Sequence, residues 1–221
     1  MSGRSIRNPQ TIVLASIIGL AVGLPQVFLT TFSVFLAPLI AEFSWTRSEA
    51  SVLFSVVTIC IAFSSPVVSY MARRFSIGRI LTASIILLSS SIALMASTTS
   101  GYLSFLIWVM VIGIVGTGTT TFTYLGVFPS WFSQRLGIAL GIAATGIGLG
   151  QMIFPIVAQQ FISDFGWRNA YQLLALISLV IGLPGAVFVI RYKSEVVHGE
   201  SLQDYSPKVE RRQDRKSTRL N

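Results

Sequence analysis

Polar side chains that could bind a ligand lie inside otherwise apolar stretches of this sequence. The set consists of Gln26, Thr30, Ser33, Thr117, Thr121, Tyr124 and Gln151. The first three follow the i, i+4, i+7 spacing of one α-helical face, and the next three follow it again. Hydroxyl and amide groups in this arrangement can donate hydrogen bonds to a carboxylate, or they can join neighbouring helices in a membrane. The spacing alone leaves both roles open.

Groups that carry covalent or metal chemistry are scarce. The one cysteine, Cys60, lies in an apolar run, and the one histidine, His198, lies in a polar segment near the end of the chain. No Asp, Glu, Lys, Arg or His occupies the central part of a long apolar stretch. An intramembrane enzyme needs such groups in pairs or clusters. The sequence therefore predicts no enzyme, no metal site and no cofactor.

The composition is that of a membrane protein. Hydrophobic residues make up 52% of the 221 residues and charged residues 11%, whereas a soluble domain carries about 25% charged residues. The formal net charge of +8 is compatible with nucleic-acid binding, but the 16 basic residues lie at the two ends and in a few short loops. We therefore expect contact with a lipid bilayer and none with nucleic acid.

Six stretches are long and apolar enough to cross a bilayer, which takes about 20 helical residues. They cover residues 12–41, 51–72, 77–97, 102–128, 137–162 and 170–190. The first is too long for the core of a signal peptide and is followed by five more, so we expect it to remain as a helix, bent at Pro25. The sequence thus predicts an all-α polytopic membrane protein with six transmembrane helices after an N-terminal segment of residues 1–11.

Basic residues indicate which side of the membrane each loop faces, because they resist translocation. With a cytoplasmic N-terminus, most of those near the stretch ends fall inside and only two fall outside. The inner set is Arg4, Arg7, Arg73, Arg74, Arg79, Arg135, Arg191 and Lys193, and the outer set is Arg47 and Arg168. We therefore expect both ends of the chain in the cytoplasm.

A short pattern occurs twice in the apolar region. The sequence TTFS at 30–33 is followed by Pro38 and by SW at 44–45, and TTFT at 120–123 is followed by Pro129 and by SW at 130–131. The two copies lie in the first and the fourth predicted helices, which enter the membrane from opposite sides. This predicts a 3+3 inverted repeat, which is typical of many secondary transporters.

The segment 131–141, WFSQRLGIALG, together with the glycines that follow it, resembles the fifth-helix signature of monocarboxylate transporters. Their bacterial relatives, among them the oxalate:formate antiporter family, share this signature. An aromatic pair and basic residues precede a helix of the form L-A-x-G-x-A. The loops FSWTRSEAS at 43–51 and FGWRNAYQLL at 165–174 also resemble those of the family. The chain is thereby similar to the N-terminal six-helix half of a major facilitator superfamily transporter.

The resemblance implies a function. Such a protein would be a secondary transporter that moves small organic anions, such as monocarboxylates, by alternating access between two six-helix halves. Substrate sites of these transporters lie near the bilayer midplane, so the seven polar residues become candidates for substrate binding. In the family, basic residues that bind substrate belong largely to the C-terminal half, which would be this chain's partner. We expect the protein in a bacterial inner membrane.

The loop between the second and third helices departs from the family pattern. The superfamily usually has G-x-L-A-D-R-x-G-R there, whereas this chain has Arg73 at the position of the aspartate. Arg74, Gly78 and Arg79 keep the basic, turning character of this cytoplasmic loop, and Arg135 precedes the fifth helix. Thr30 stands where proton-coupled animal relatives carry a lysine. Proton coupling through that lysine is therefore not expected.

The fifth apolar stretch contains five glycines that could suggest a phosphate-binding loop. They are Gly137, Gly141, Gly146, Gly148 and Gly150. A phosphate loop places its glycines at the turn before a helix, whereas these form two stripes about 200° apart on one helix. Gly137, Gly141 and Gly148 belong to one stripe, and Gly146 and Gly150 to the other. Small residues spaced in this way predict close helix packing in the membrane on two faces.

The end of the chain is polar. Residues 191–213 have the composition of the cytoplasmic linker between the two halves of such transporters, and residues 214–221, DRKSTRLN, resemble the translation of a sequencing adapter. We therefore expect a truncated N-terminal half with a foreign tail. The alternative is a genuine six-helix protein with a native tail, acting as a homodimeric transporter or as a scaffold or receptor without transport.

Overall fold

The computed structural model describes residues 16–98, 101–125 and 136–192, and every regular element in these ranges is a helix. Five of the helices are long and apolar enough to cross a membrane: Ser16–Phe43, Arg47–Ala72, Ile77–Ala96, Tyr102–Thr119 and Gly137–Val187. The predicted all-α polytopic membrane class is therefore confirmed. The predicted N-terminal segment, the linker after Tyr192, the tail and Arg135 lie outside the described residues.

The helices are labelled in chain order. They are α1 (Ser16–Phe43), α2 (Arg47–Arg74), α3 (Ile77–Ala96), α4 (Tyr102–Gly116), α5 (Thr121–Leu125) and α6 (Leu136–Tyr192). A left-handed residue, Ser44 with φ 54°, ends α1. Thr46 then begins α2 with a capping box, in which the Glu49 N–H donates to Thr46 Oγ1 at 3.2 Å and the Glu49 carboxylate accepts from the Thr46 N–H at 2.8 Å.

The helix α1 is irregular in its middle. Pro25–Leu29 form a π-helical segment, in which the Thr30 N–H donates to the Pro25 carbonyl at 3.0 Å. A regular helix resumes at Phe32–Phe43. The helix is already interrupted at Val22 and Gly23, and Pro25, which has no backbone N–H, removes one further donor.

The helix α4 is shorter than the predicted stretch 102–128. It ends at Gly116, continues as one 3₁₀ turn over Thr117–Thr119 and is interrupted at Thr120, whose backbone is extended with φ −77° and ψ 163°. The short helix α5 follows. The prediction of a continuous helix is therefore wrong between 117 and 120. It was made from the length of the apolar run, which stays the same whether or not the backbone changes conformation within it.

The helix α6 is a hairpin of two arms, residues 136–165 and 167–192, joined at Gly166 with φ 78°. Gly146 of the first arm packs against Ile17. In the second arm the Trp167 ring lies 5.8 Å from that of Phe43, and Ser178 donates to the Val22 carbonyl at 3.0 Å. The chain thus runs along α1 in one direction and returns in the other. The arms extend to Gly166 itself, so the predicted gap at 163–169 is a single-residue break.

The helices differ in how much of their surface is buried. In the apolar windows of α1 and α3, 56% of the residues are buried inside the bundle, against 11% in α2. An aromatic cluster lies where α1 ends at Ser44 and α4 begins. Its rings are those of Phe43, Trp45, Tyr102 and Phe105, and the Phe43 and Trp45 rings stack at 4.6 Å. The bundle is therefore built around α1, with α2 at its margin.

Candidate functional site

The irregular parts of α1 and α4 lie against each other. The Leu24 N–H donates to Thr119 Oγ1 at 3.0 Å. A Cβ on Gly23 would lie 2.6 Å from the Thr119 carbonyl oxygen, so only glycine permits this approach. Gly116 packs against the Leu24 side chain in the same region. The two interrupted helices therefore form one backbone junction inside the bundle.

Threonine hydroxyls donate to the carbonyl groups around the break in α4, and the Thr117 carbonyl also accepts the Thr120 N–H at 3.1 Å. Thr117 donates to the Gly113 carbonyl at 2.6 Å, Thr119 to the Gly116 carbonyl at 2.8 Å, and Thr120 to the Thr117 carbonyl at 2.8 Å. Irregular backbone at membrane depth persists only where its polar groups find partners inside the protein. The sequence TGTT at 117–120 therefore permits the break.

Threonine hydroxyls also donate to backbone carbonyl groups in α1. Thr30 Oγ1 donates to the Gln26 carbonyl and Thr31 Oγ1 to the Val27 carbonyl, each at 2.6 Å. Both bonds lie at the end of the π-helical segment, where the ladder of backbone hydrogen bonds is disturbed. A threonine pair thus follows the irregular segment in each helix.

A third helix reaches this junction at Gln26. The Gln26 side chain is 2% exposed. A Cβ on Gly150 would lie 2.5 Å from Gln26 Cγ and would also collide with the Ala21 carbonyl oxygen. The first arm of α6 is therefore held against α1 at Gly150, and Gln26 lies between the two helices.

A cavity of about 760 Å³ lies beside the break in α4. Its hydroxyl residues are Ser65 and Ser69 of α2 with Thr117, Thr120 and Thr123. Apolar side chains of α2 and the first residue of α3, Ile77, complete the wall. The cavity offers hydroxyl oxygens on an apolar surface, which is the usual composition of a small-molecule site.

The sequence-derived candidates are distributed over several environments. Thr117 lines the cavity, and Gln26 lies at the helix junction. Tyr124 is 1% exposed, packs against Gly19, and its hydroxyl has no hydrogen-bond partner among the described residues. Thr30 and Thr121 are half-buried, whereas Ser33 and Gln151 are exposed. The described structure therefore brings only Thr117 of the seven to the cavity.

Four cavity hydroxyls were missed by the sequence analysis. Ser65 and Ser69 have the same i, i+4 spacing that singled out the other candidates, so the pattern could have found them. Thr120 and Thr123 could not be found in that way, because the search assumed a continuous helix. The break at Thr120 changes which side chains follow Thr117 on the cavity side.

The basic loop residues lie at the other end of α2 from Thr46. The Arg74 guanidinium stacks over the Tyr70 ring at 5.3 Å. The turn to α3 is made at Phe75, with φ −111° and ψ 157°, and Ser76. Gly78 is buried and Arg79 is exposed. Arg73 belongs to the last turn of α2. Two exposed cations therefore stand at a tight turn.

Only one of the two glycine stripes has a neighbour within the described residues. Gly146 and Gly150 contact α1, whereas a Cβ on Gly137, Gly141 or Gly148 would meet nothing within 4 Å in the part of the chain that the structure describes. The close packing predicted for this second face stays a prediction. The face is open toward lipid or toward another helix bundle.

A charged cluster joins the end of α1 to the tip of the α6 hairpin. Glu42 pairs with Arg168 at 2.6 Å and accepts a hydrogen bond from the Trp167 indole. The Arg168 guanidinium also stacks over the Trp167 ring at 4.6 Å. Both side chains of the ion pair are more than a third exposed, so its stabilisation is small. The cluster positions the hairpin and lies outside the apolar core.

An apolar helical bundle in which two interrupted helices meet beside a hydroxyl-lined cavity is the architecture of secondary membrane transporters. The family model described as Major Facilitator Superfamily matches residues 11–217. The chain therefore belongs to the major facilitator superfamily, and it is a membrane transporter protein by family.

Individual relatives show which members of the superfamily this chain is similar to. The chain is 33% identical over 168 residues to Monocarboxylate transporter 13 of Bos taurus, which covers 72% of this chain and 37% of that protein. It is 26% identical to Monocarboxylate transporter 6 of Homo sapiens, over 80% of this chain and 34% of that protein. An uncharacterized MFS-type transporter of Escherichia coli, YhjX, is 25% identical over 72% of this chain and 39% of its own length. The chain thus resembles the monocarboxylate transporters and spans less than half the length of these relatives.

Proposed function

We propose that this chain acts as the N-terminal six-helix half of a secondary transporter that moves small organic anions, such as monocarboxylates, by alternating access. The observation that carries the proposal is the junction of the interrupted helices α1 and α4 beside the cavity, in a chain of this superfamily. The names of two relatives, both monocarboxylate transporters, favour the anion class. The partner is a second six-helix bundle.

The open face of the bundle supports a need for that partner. The glycines Gly137, Gly141 and Gly148 leave one side of the first α6 arm without a neighbour among the described residues. The marginal helix α2 exposes large apolar side chains, among them Phe63 at 79%. Alternating access requires two bundles that rock around a shared site, and these surfaces are available to a second bundle.

The placement of charged residues supports binding of the substrate carboxylate by the second half rather than by this one. The described transmembrane helices carry no acidic or basic side chain near mid-depth, and an anion at that depth requires a cation or several donors. We therefore assign the carboxylate of the substrate to basic residues of the second half. The orientation with both ends of this half in the cytoplasm, the inverted 3+3 repeat and the bacterial inner membrane belong to the same proposal.

Substrate kinetics test the assignment of the site. In a transporter completed with its second half, Thr117→Val at the cavity and Gln26→Leu at the helix junction should raise the KM for labelled lactate several-fold at unchanged surface expression. The matched control is Thr58→Val, because Thr58 is exposed on α2 and donates to the Phe54 carbonyl at 2.9 Å outside the cavity. Unchanged KM in both site variants would assign these residues to helix packing.

A further inference from the structure

Four of the five hydroxyls that line the cavity donate hydrogen bonds to carbonyl groups of the protein. Each of the four donates to a carbonyl oxygen of its own chain segment: Ser65 to Ile61 and Ser69 to Ser65, both at 2.8 Å, with Thr117 to Gly113 at 2.6 Å and Thr120 to Thr117 at 2.8 Å. A hydroxyl has one hydrogen and two lone pairs. With the hydrogen used, these oxygens present acceptor lone pairs to the cavity.

The rest of the cavity wall supplies one further hydroxyl, that of Thr123, and otherwise no donor side chain. Apart from Thr123, the other lining residues within the described part of the chain are Ala62, Pro66, Val68, Ala72 and Ile77. Turning one of these hydroxyl hydrogens toward a ligand would give up its bond to the carbonyl, worth about 0.5–1.5 kcal/mol. A carboxylate accepts hydrogen bonds and donates none. Its oxygens would therefore face other acceptor oxygens in this cavity.

We propose that this cavity binds the hydrogen-bond donor groups of an organic ligand, namely hydroxyl or ammonium groups, and discriminates against carboxylate. The volume of about 760 Å³ lies within the range of small-molecule sites, about 300–1,000 Å³. In the transport path of the proposed function, on which this inference rests, this half holds the donor-bearing end of the substrate. The substrate is then a carboxylate that also carries a donor group, as the hydroxyl of lactate is, and its charged end binds in the second half.

Binding to the purified 221-residue chain tests this directly. Three six-carbon probes at millimolar concentration, sorbitol, 1,6-diaminohexane and adipate, separate hydroxyl donors, ammonium donors and an acceptor-only anion. We expect a saturable rise in the unfolding temperature with sorbitol or the diamine, and none with adipate. Whichever of the two binds more tightly identifies the donor type.

Variants locate the binding in the cavity. Thr120→Val and Ser69→Ala should weaken the dissociation constant about tenfold, whereas Thr120→Ser, which keeps the oxygen, should bind as the parent does and shows whether the fold tolerates change at this position. Ser55→Ala is the matched control, because Ser55 is exposed on the same helix and donates to the Ser51 carbonyl at 3.1 Å without lining the cavity.

Three results would overturn the inference: adipate binding as tightly as the donor probes, donor binding that survives Thr120→Val and Ser69→Ala, or no binding of any probe. These failures leave the proposed transport function standing, because a carboxylate could then enter this cavity or another. Conversely, the donor probes could bind while the completed transporter takes up no anion. That result would contradict the proposed transport function and would support the inference about the cavity.

Discussion

Leu24 and Thr119 are 95 residues apart in the chain, and the backbone N–H of the first donates to the hydroxyl of the second at 3.0 Å. This bond joins α1 to α4 where both helices are irregular. The π-helical segment Pro25–Leu29 precedes the sequence TTFS, and the 3₁₀ turn Thr117–Thr119 precedes TTFT. The irregular segments thus occupy corresponding places in the two copies of the pattern, which favours the proposed inverted repeat.

Removing the hydroxyl of Thr119 should destabilise the junction. Thr119→Val deprives the Leu24 N–H of its acceptor and the Gly116 carbonyl of a donor. We expect a loss of about 1–3 kcal/mol in the free energy of unfolding, since a buried polar group is left without a partner. Unfolding in mixed micelles measures it, with Thr98→Val as control because the Thr98 hydroxyl makes one exposed bond, to the Leu94 carbonyl. Equal effects of the two substitutions would contradict the role of the junction.

Two glycines of one helix should respond oppositely to alanine. A Cβ at Gly146 would collide with the Ile17 backbone, whereas one at Gly148 would meet nothing within 4 Å among the described residues. We expect Gly146→Ala to lower the free energy of unfolding by about 1–3 kcal/mol through overpacking. Gly148→Ala should leave the isolated chain unchanged or raise its stability by up to about 1 kcal/mol, through helix propensity. A stable Gly146→Ala variant would show that α1 and α6 do not pack as described.

The reversal of α6 depends on the left-handed backbone of Gly166. Its φ of 78° is strained for a residue with a Cβ, and Gly166→Ala should lower the free energy of unfolding by about 1–2 kcal/mol. Gly101→Ala is the control, because Gly101 has φ −62° and open space around it. If both variants unfold alike, Gly166 is not the point of strain at which the hairpin turns.

The ion pair at the hairpin tip should contribute little by itself. A double-mutant cycle of Glu42→Gln and Arg168→Gln should give a coupling of about 0.2–1 kcal/mol that shrinks in high salt, because both side chains are partly exposed. Trp167→Phe should add a further loss, since Glu42 also accepts from the indole N–H. A coupling well above this range, or one insensitive to salt, would indicate that the cluster is shielded by a partner.

The sequence predicted the membrane class because that class depends on apolar length and the distribution of charge, which are local properties. It also located the reversal near Gly166, since FGWRN interrupts an apolar run. It did not predict the break at Thr120, because threonine in a membrane can either continue a helix or bond to nearby carbonyl groups. Contact with Leu24, which decides between these outcomes, exists only after α1 and α4 have packed together.

The candidate site was predicted less well than the fold for the same reason. Thr117, Thr121 and Tyr124 share a face only on a continuous helix, and the change of backbone at Thr120 directs Thr123 to the cavity and leaves Tyr124 buried beside Gly19. Ser65 and Ser69 share the i, i+4 spacing on α2, but only the packed helices show that this face borders the cavity. A cavity is a property of several helices together, so spacing within one helix cannot define it.

Uptake into proteoliposomes is the most direct test of the proposal that this chain is one half of a transporter. Labelled lactate would be offered to vesicles that contain the 221-residue chain alone, or the chain together with a second six-helix half. The account predicts no uptake by the chain alone and saturable uptake when the second half is supplied. Saturable uptake by the chain alone would contradict it and would establish a transporter built from six-helix subunits.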